Sequence, residues 1–267
     1  MKKFTVKTPS LLRDFTDAVY PQGSFYYSAL LKSGDIRVNG IKVRSNIPLK
    51  AGDEVVYYTT PKMEQKPSHS LIYGGQSFVV CDKFSGVSTE ALASELNLSP
   101  VHRLDRNTTG LIIFAKTKEA EGEFLRLFKE HKITKNYIAV CENNFKSPAA
   151  DMTAYLYKDE KKGQVTISAL PAKGYVPIRT GYRVLESRGE LAMVRITLHT
   201  GKTHQIRAHM AYIGCPVLGD EKYGDAELNK KYSARRQQLN SNELAFSFDG
   251  RDYRFKSSLT PSYPPEK

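Results

Sequence analysis

The stretch VHRLDRNTTGLIIFAK, residues 101–116, organises the reading of the whole chain. One acid, Asp105, stands between Arg103 and Arg106. Two small hydroxyl residues, Thr108 and Thr109, follow, then Gly110, then the apolar run Leu111 to Ala115. Such a run is short enough for a buried strand, and Gly110 permits a tight turn into it. Flanking guanidinium groups favour the charged form of a carboxylate and can hold an anionic substrate through bidentate contacts. An ionised Asp on a loop at a strand entrance suits nucleophilic or general-base work. The same residues also fit a simpler role, in which Asp105 pairs with Arg103 or Arg106 and pins the loop, because structural ion-pair networks make similar clusters.

Outward from this stretch, strands and helices mix without regular alternation. Lys118 to His131 is amphipathic, with Ala120, Phe124, Leu127 and Phe128 at helical spacing. Ile133 to Val140, Gly181 to Leu185 and Leu191 to Leu198 read as strands. Thr203 to Ile213 reads as a helix closed by Gly214 and stopped by Pro216. Upstream, Leu71 to Tyr73 and Ser77 to Lys83 read as a hairpin around Gly74-Gly75, and Ser88 as the cap of a helix through Leu96.

Three segments follow from composition: a module over residues 1–60, a polar, proline-containing linker PKMEQKPSHS over 61–70, and a large domain over 71–267. Within the module, Ser10 is expected to cap a helix through Ala18, and a helix from Phe25 to Lys32 ends at Gly34. Short strands at Asp35–Val38 and Ile41–Val43 flank Asn39-Gly40, a dipeptide that suits a type I′ turn because both positions accept positive φ. A further strand runs from Glu54 to Tyr58.

Of the 267 residues, 40% are apolar, and 16 Tyr and 12 Phe supply a core that needs no disulfide. Cys81, Cys141 and Cys215 are scattered and form no CxxC pair, which argues against a cysteine zinc site and suits a reducing cytoplasm. The basic start Met1-Lys2-Lys3 is followed by no apolar run, so neither a secretory leader nor a membrane span is expected. The net charge of +12 and pI near 9.4 favour a polyanionic partner, with nucleic acid the first candidate.

Three blocks in order carry a resemblance. HRLDRNTTGLIIFAK is similar to the signature of the RluA-type pseudouridine synthases, H-R-L-D followed by x-x-[ST]-[ST]-G. KNYIAV at 135–140 resembles that family's K-x-Y-x-A-V strand, and LHTGKTHQIRAHMAYIGCPVLGDEKYG at 198–224 its TG[RK]THQIR…GD…YG block. The resemblance implies an α+β fold with a mixed, largely antiparallel sheet, and an isomerase that converts uridine to pseudouridine in structured RNA. It places the catalytic aspartate on Asp105, the base-stacking tyrosine on Tyr137 and the basic partner of the aspartate on Arg207. Arg103 falls where an arginine enters the space left by a flipped nucleotide, and Arg106 stands beside it as a further RNA contact. For Arg207, held among apolar neighbours, Asp220 and Glu221 compete with Asp105 as the carboxylate partner. Departures are local: Lys83-Phe84-Ser85-Gly86 lacks the proline of K-P-x-G, and Leu239-Asn240-Ser241 replaces L-H-A.

The stretch SALLKSGDIRVNGIKV…LKAGDEV resembles the small RNA-binding domain of ribosomal protein S-four, which would bring Lys32, Arg37, Lys42 and Arg44 to phosphates. These resemblances imply RNA as partner, ribosomal RNA ahead of transfer RNA. The scattered cysteines and the missing apolar span fit a cytoplasmic protein away from membranes, and a monomer is expected. No cofactor is expected, because the reaction neither hydrolyses a bond nor transfers electrons. His199, His204 and His209 are spaced five and five, which does not place them on one helical face, so no metal site is expected. Two other classes stay open: a catalytically silent RNA-binding or ribosome-assembly factor, and a metal-dependent RNA hydrolase using those histidines.

Overall fold

The computed structural model describes residues 1–160 and 163–265. The chain divides into two compact units, Met1–Arg106 with Ile113–Glu121, and Asn107–Ile112 with Gly122–Lys267.

The first unit opens with β1 (Lys2–Thr5), β2 (Ser10–Leu11), α1 (Leu12–Val19), α2 (Pro21–Phe25) and α3 (Tyr27–Ser33). It continues through β3 (Ile36–Val38), β4 (Ile41–Val43), β5 (Pro48–Leu49), β6 (Glu54–Tyr57) and α4 (Pro61–Glu64). A small sheet has the order β1-β6-β3-β4, and β2 pairs with β5. Asn39 and Gly40 take φ of 50° and 80°, the left-handed pair that a type I′ turn demands. Gly34 closes α3 at φ 74°. Ser10 does not cap α1: it is drawn into the β2–β5 pair, and Leu11 occupies the cap position with no side-chain bond. Leu12, Leu30, Ile36, Val55 and Tyr57 anchor the core of this part. Within the segment 61–70, Thr60 caps α4. The unit then runs through β7 (His69–Gly74), β8 (Phe78–Lys83), α5 (Thr89–Leu96) and β9 (Ser99–Pro100). Ser88 caps α5 by accepting from Ala91 N–H at 3.0 Å.

Strand β10 (Thr109–Ala115) and helix α6 (Lys118–Lys129) are divided between the units. Leu111, Ile112, Ile113 and Phe114 are all fully buried, so β10 is covered on both faces.

The second unit holds β11 (Thr134–Glu142), β12 (Ala149–Asp159), β13 (Gln164–Ser168), β14 (Val176–Arg188), β15 (Leu191–Leu198), α7 (Gln205–Tyr212), α8 (Ala226–Lys231), β16 (Leu239–Phe248) and β17 (Arg251–Lys256). Its strands are ordered β13-β12-β14-β15-β11-β16-β10, with β17 on β16. The pairs are antiparallel except β10 with β16, which is parallel. Phe124 of α6 stacks on Phe248 at 4.7 Å and meets Phe246 edge-on at 5.3 Å, which seats the amphipathic helix on β16. The fold is α+β with a large, mostly antiparallel sheet. Among the described residues, no helix is long and apolar enough to cross a membrane.

Candidate active site

Asp105 lies in the first unit on the loop before β10, partly exposed, and the backbone on either side of it is tethered. Leu104 N–H donates to Thr89 Oγ1 at 3.0 Å, and the same hydroxyl lies 3.2 Å from Leu104 O. The Arg106 carbonyl accepts from Lys83 Nζ at 3.1 Å and from Gly86 N–H at 2.9 Å. His102 Nε2 accepts from Ile113 N–H at 3.0 Å. Arg103 is largely exposed, with Glu90 3.9 Å away. Arg106 donates through Nη1 to Asp17 of α1.

Lys83, which the reading of the residues left out, is fully buried at the end of β8. Its ammonium reaches three carbonyls, those of Val87 at 2.8 Å, Arg106 at 3.1 Å and Phe84 at 3.3 Å, a cage that fits three N–H donors. Burial pulls its pKa down from 10.5 to about 7, while the charge of Asp105 opposes the fall. The one sequence signal was its place in the K-P-x-G-like block.

A pH test follows. Below about 7 both folded and unfolded chains hold the Lys83 proton, and between there and 10.5 the unfolded chain holds more, so this group makes stability rise with pH across that window. The stability difference between wild type and Lys83→Met should therefore shift in favour of wild type on going from pH 7 to pH 10, as read by urea unfolding. A pH-independent difference would show that the ammonium keeps its ordinary pKa in the fold.

Downstream of Asp105, in the second unit, the hydroxyls of the [ST]-[ST]-G block are stitched to the start of β16. Thr108 Oγ1 accepts from Gln237 Nε2 at 2.9 Å. Thr109 Oγ1 accepts from Asn240 Nδ2 at 2.9 Å and donates to Leu239 O at 3.3 Å. Gly110 has φ 107°, and a Cβ there would lie 2.3 Å from Ser241 O, so only glycine allows β10 and β16 to approach. Asn240, the departure from L-H-A, is thus a buried, bonded part of the loop's support.

Tyr137 sits mid-strand in β11, opposite Ile196 and Ser241, and is 6% exposed. Arg207, on the first turn of α7, is 9% exposed. Of the acids considered for it, Asp220 accepts from Nε at 2.6 Å and from Nη2 at 2.9 Å, a bidentate fork. The Arg207 guanidinium also lies 5.2 Å from the Tyr223 ring centre. Burial would raise the Asp220 carboxyl, but Arg207 and the N–H groups of Lys222 and Tyr223 outweigh it and hold the pKa below the usual range. Gln205 secures the preceding loop: its carbonyl oxygen accepts from Thr200 Oγ1 and Lys202 N–H, and its amide donates to Arg179 O and Thr180 Oγ1.

The three histidines have separate surroundings. His199 lies 3.7 Å from Asp151, His204 Nδ1 is 2.9 Å from the Tyr223 hydroxyl, and His209 Nδ1 is 3.1 Å from Thr180 Oγ1. Burial lowers the His209 pKa to about 4, so it is neutral at pH 7. No group of three or more His, Cys, Asp or Glu suited to a metal occurs among the described residues.

The first unit carries a tethered aspartate loop, and the second carries a tyrosine on β11 and an arginine forked onto a buried acid. Residues 65–212 match the RNA pseudouridylate synthase family, and the chain belongs to that family of isomerases. Among curated relatives, the ribosomal large subunit pseudouridine synthase C of Escherichia coli (strain K12) is 28% identical over 243 residues, covering 79% of this chain and 75% of the relative. The protein of the same name from Salmonella typhimurium is 28% identical over 258 residues, covering 83% and 79%. The fold is shared with human RNA Pseudouridylate Synthase Domain Containing 1, with a TM-score of 0.63 at 23% identity over 76% of this chain and 94% of that one.

Proposed function

We propose that the chain converts uridine to pseudouridine at defined positions of ribosomal RNA, with Asp105 as the catalytic carboxylate, Tyr137 as the ring that stacks on the target base and Arg207 as the cation accompanying the carboxylate. The observation that carries this reading is the tethering of Leu104 and Arg106, which presents a partly exposed Asp105 from an immobilised backbone. Preorganisation of that kind is what positions a reacting group. The names of the curated relatives support ribosomal RNA as substrate.

In the reaction the bond from uracil N1 to ribose C1′ breaks and a bond from C5 to C1′ forms. The C5 proton leaves and N1 gains one, so neither water nor electrons are consumed. Asp105 either removes a ribose proton, attacks C1′, or attacks the ring. The base must leave its stack to reach the carboxylate, and exposed Arg103 is able to fill the space behind it. RNA shape and phosphate contacts supply the binding.

The test is to map pseudouridines in RNA from cells with and without the chain. A ribosomal site that disappears, and returns with wild type but not with Asp105→Asn, supports the reading. Loss confined to transfer RNA would move the substrate. RNA that binds but releases no tritium from labelled C5 would make the chain a silent binding factor.

We further infer that residues 1–60 act as an S-four-like phosphate-binding module. Arg37 and Lys42 stand directly opposite each other on β3 and β4, and like charges so placed repel unless an anion joins them. Arg44 reaches back to the end of α3, donating to Lys32 O at 2.7 Å. Replacing Lys32, Arg37, Lys42 and Arg44 by Ala should flatten the salt dependence of RNA binding by roughly 0.7–0.9 per lost contact and leave turnover at saturating RNA unchanged. An unaltered slope would remove the module from the RNA surface.

A further inference from the structure

The residue that follows Asp105 is held from two directions within the first unit. Its carbonyl is taken by Lys83 and Gly86, as described above. Its side chain is taken by Asp17, a residue of α1 that lies 89 positions upstream and whose side chain is only 18% exposed. Asp17 is a hub. Its carboxylate also accepts from Arg13 Nε at 2.9 Å and from the Ser24 hydroxyl, and its backbone carbonyl accepts from the Ser88 hydroxyl. Ser88 is at the same time the cap of α5, whose first residue, Thr89, bonds both backbone groups of Leu104. The α2 helix closes on the same turn: a Cβ added at Gly86 would lie 3.2 Å from the Phe25 ring. Residues 104 and 106 are therefore both linked to α1, one through Ser88 and Thr89, the other through the Arg106 guanidinium.

We propose that Asp17 is a positioning residue for the Asp105 loop, so that the N-terminal module sets the geometry of that loop through Arg106. An RNA contact was the expected role for Arg106. Its geometry suits a different one. Nη1 is committed to Asp17, and Nε is buried with no hydrogen-bond partner. A guanidinium held in this way is not a mobile arm for phosphates. It is a rigid strut between α1 and residue 105. The proposal rests on Asp105 being the catalytic carboxylate, and it goes beyond that by making the N-terminal module part of the catalytic scaffold in addition to any role in holding RNA.

The experiment uses the full chain with Asp17→Asn, Asp17→Glu, Arg106→Gln and the Asp17→Asn/Arg106→Gln pair. For each, kcat and KM are measured on a labelled ribosomal RNA fragment, with the salt dependence of binding and the amide hydrogen exchange of residues 103–107. The expected result is a kcat lowered roughly 10–100-fold in Asp17→Asn, the scale of a misplaced reacting group, with KM and salt slope unchanged and faster exchange at 104–107. Arg106→Gln should match it, the double variant should lose no more than either single, and Asp17→Glu should recover most of the rate. A raised KM and a salt slope flattened by about one contact in Arg106→Gln, with Asp17→Asn unaffected, would overturn the proposal and make Arg106 a phosphate ligand. Unchanged kcat and exchange in Asp17→Asn would overturn it as well. Turnover by Asp105→Asn would overturn the catalytic reading instead, and the exchange rates would then decide the mechanical link by themselves.

Discussion

Asp105→Asn is expected to abolish isomerisation while leaving RNA binding intact. The substitution keeps the shape of the side chain and removes its charge. Leu104, Arg106, Thr108 and Thr109 tether the loop on either side of residue 105, so the backbone should stay where it is. What disappears is the only feature an amide cannot supply, an anionic oxygen for proton removal or attack. Loss of an essential nucleophile or base typically costs on the order of 10⁴-fold or more in kcat. Affinity comes mainly from cations on phosphates, and removing one negative charge from a basic surface does not weaken that. Tritium release from C5-labelled uridine in RNA gives the rate, and filter binding gives the affinity. Measurable turnover by the Asn variant would transfer the essential role to another residue.

The second large effect is expected at the Arg207–Asp220 fork. Both side chains are nearly buried, with 10% and 0% exposure. Removing one member of such a pair leaves an uncompensated charge in a poorly solvated place, a loss of about 3–5 kcal/mol. Asp220→Leu should therefore lower the unfolding midpoint by roughly 10 °C and reduce kcat, because the Arg207 guanidinium loses the acid that orients it. Asp220 also accepts from the N–H groups of Lys222 and Tyr223 at 2.9 and 3.1 Å, so part of the loss belongs to the turn. Pairing Arg207→Met with Asp220→Leu separates the two contributions. Stability should return in large part, since the charges leave together, while activity should not. The pH dependence has a fixed sign. Because the Asp220 pKa is depressed in the fold, its contribution is complete above the unfolded carboxyl value and is lost as pH falls through the folded one. The double variant should show a shallower acid unfolding transition than wild type. A double variant as unstable as Asp220→Leu would mean that the turn, not the ion pair, is what Asp220 maintains.

Local signals were read where they act over a few residues. The Asn39-Gly40 turn, the Ser88 cap, the αL glycine after α3 and the amphipathic α6 each depend on spacing within one element, and each lies where its spacing put it. The three blocks around Asp105, Tyr137 and Arg207 were equally visible, because the family resemblance rests on residue types in order along the chain. Other parts were hidden. Strand β14 runs from Val176 to Arg188, 13 residues where Gly181 to Leu185 alone read as strand, because most residues toward its ends are exposed and its length is set by backbone pairing with β12 and β15. Strand β16 contains Asn240-Ser241-Asn242, which resembles a turn until Asn240 is seen buried against Thr109. Ser10 had the right side chain for a cap but was taken by a strand pair with Leu49.

The sequence alone carried the three blocks whose family resemblance implied the α+β fold, and the net charge that favoured a polyanionic partner, because residue type, order and charge are properties of the chain before it folds. The tertiary structure alone decided who holds whom. Lys83 on the Arg106 carbonyl, Asp17 on the Arg106 guanidinium, Asn240 on Thr109 and Asp220 on Arg207 join residues 23, 89, 131 and 13 positions apart. No local pattern encodes those partners. A buried ammonium or carboxylate is tolerated only where the complete fold supplies its counterpart, and that counterpart exists only once strands and helices distant in sequence have come together.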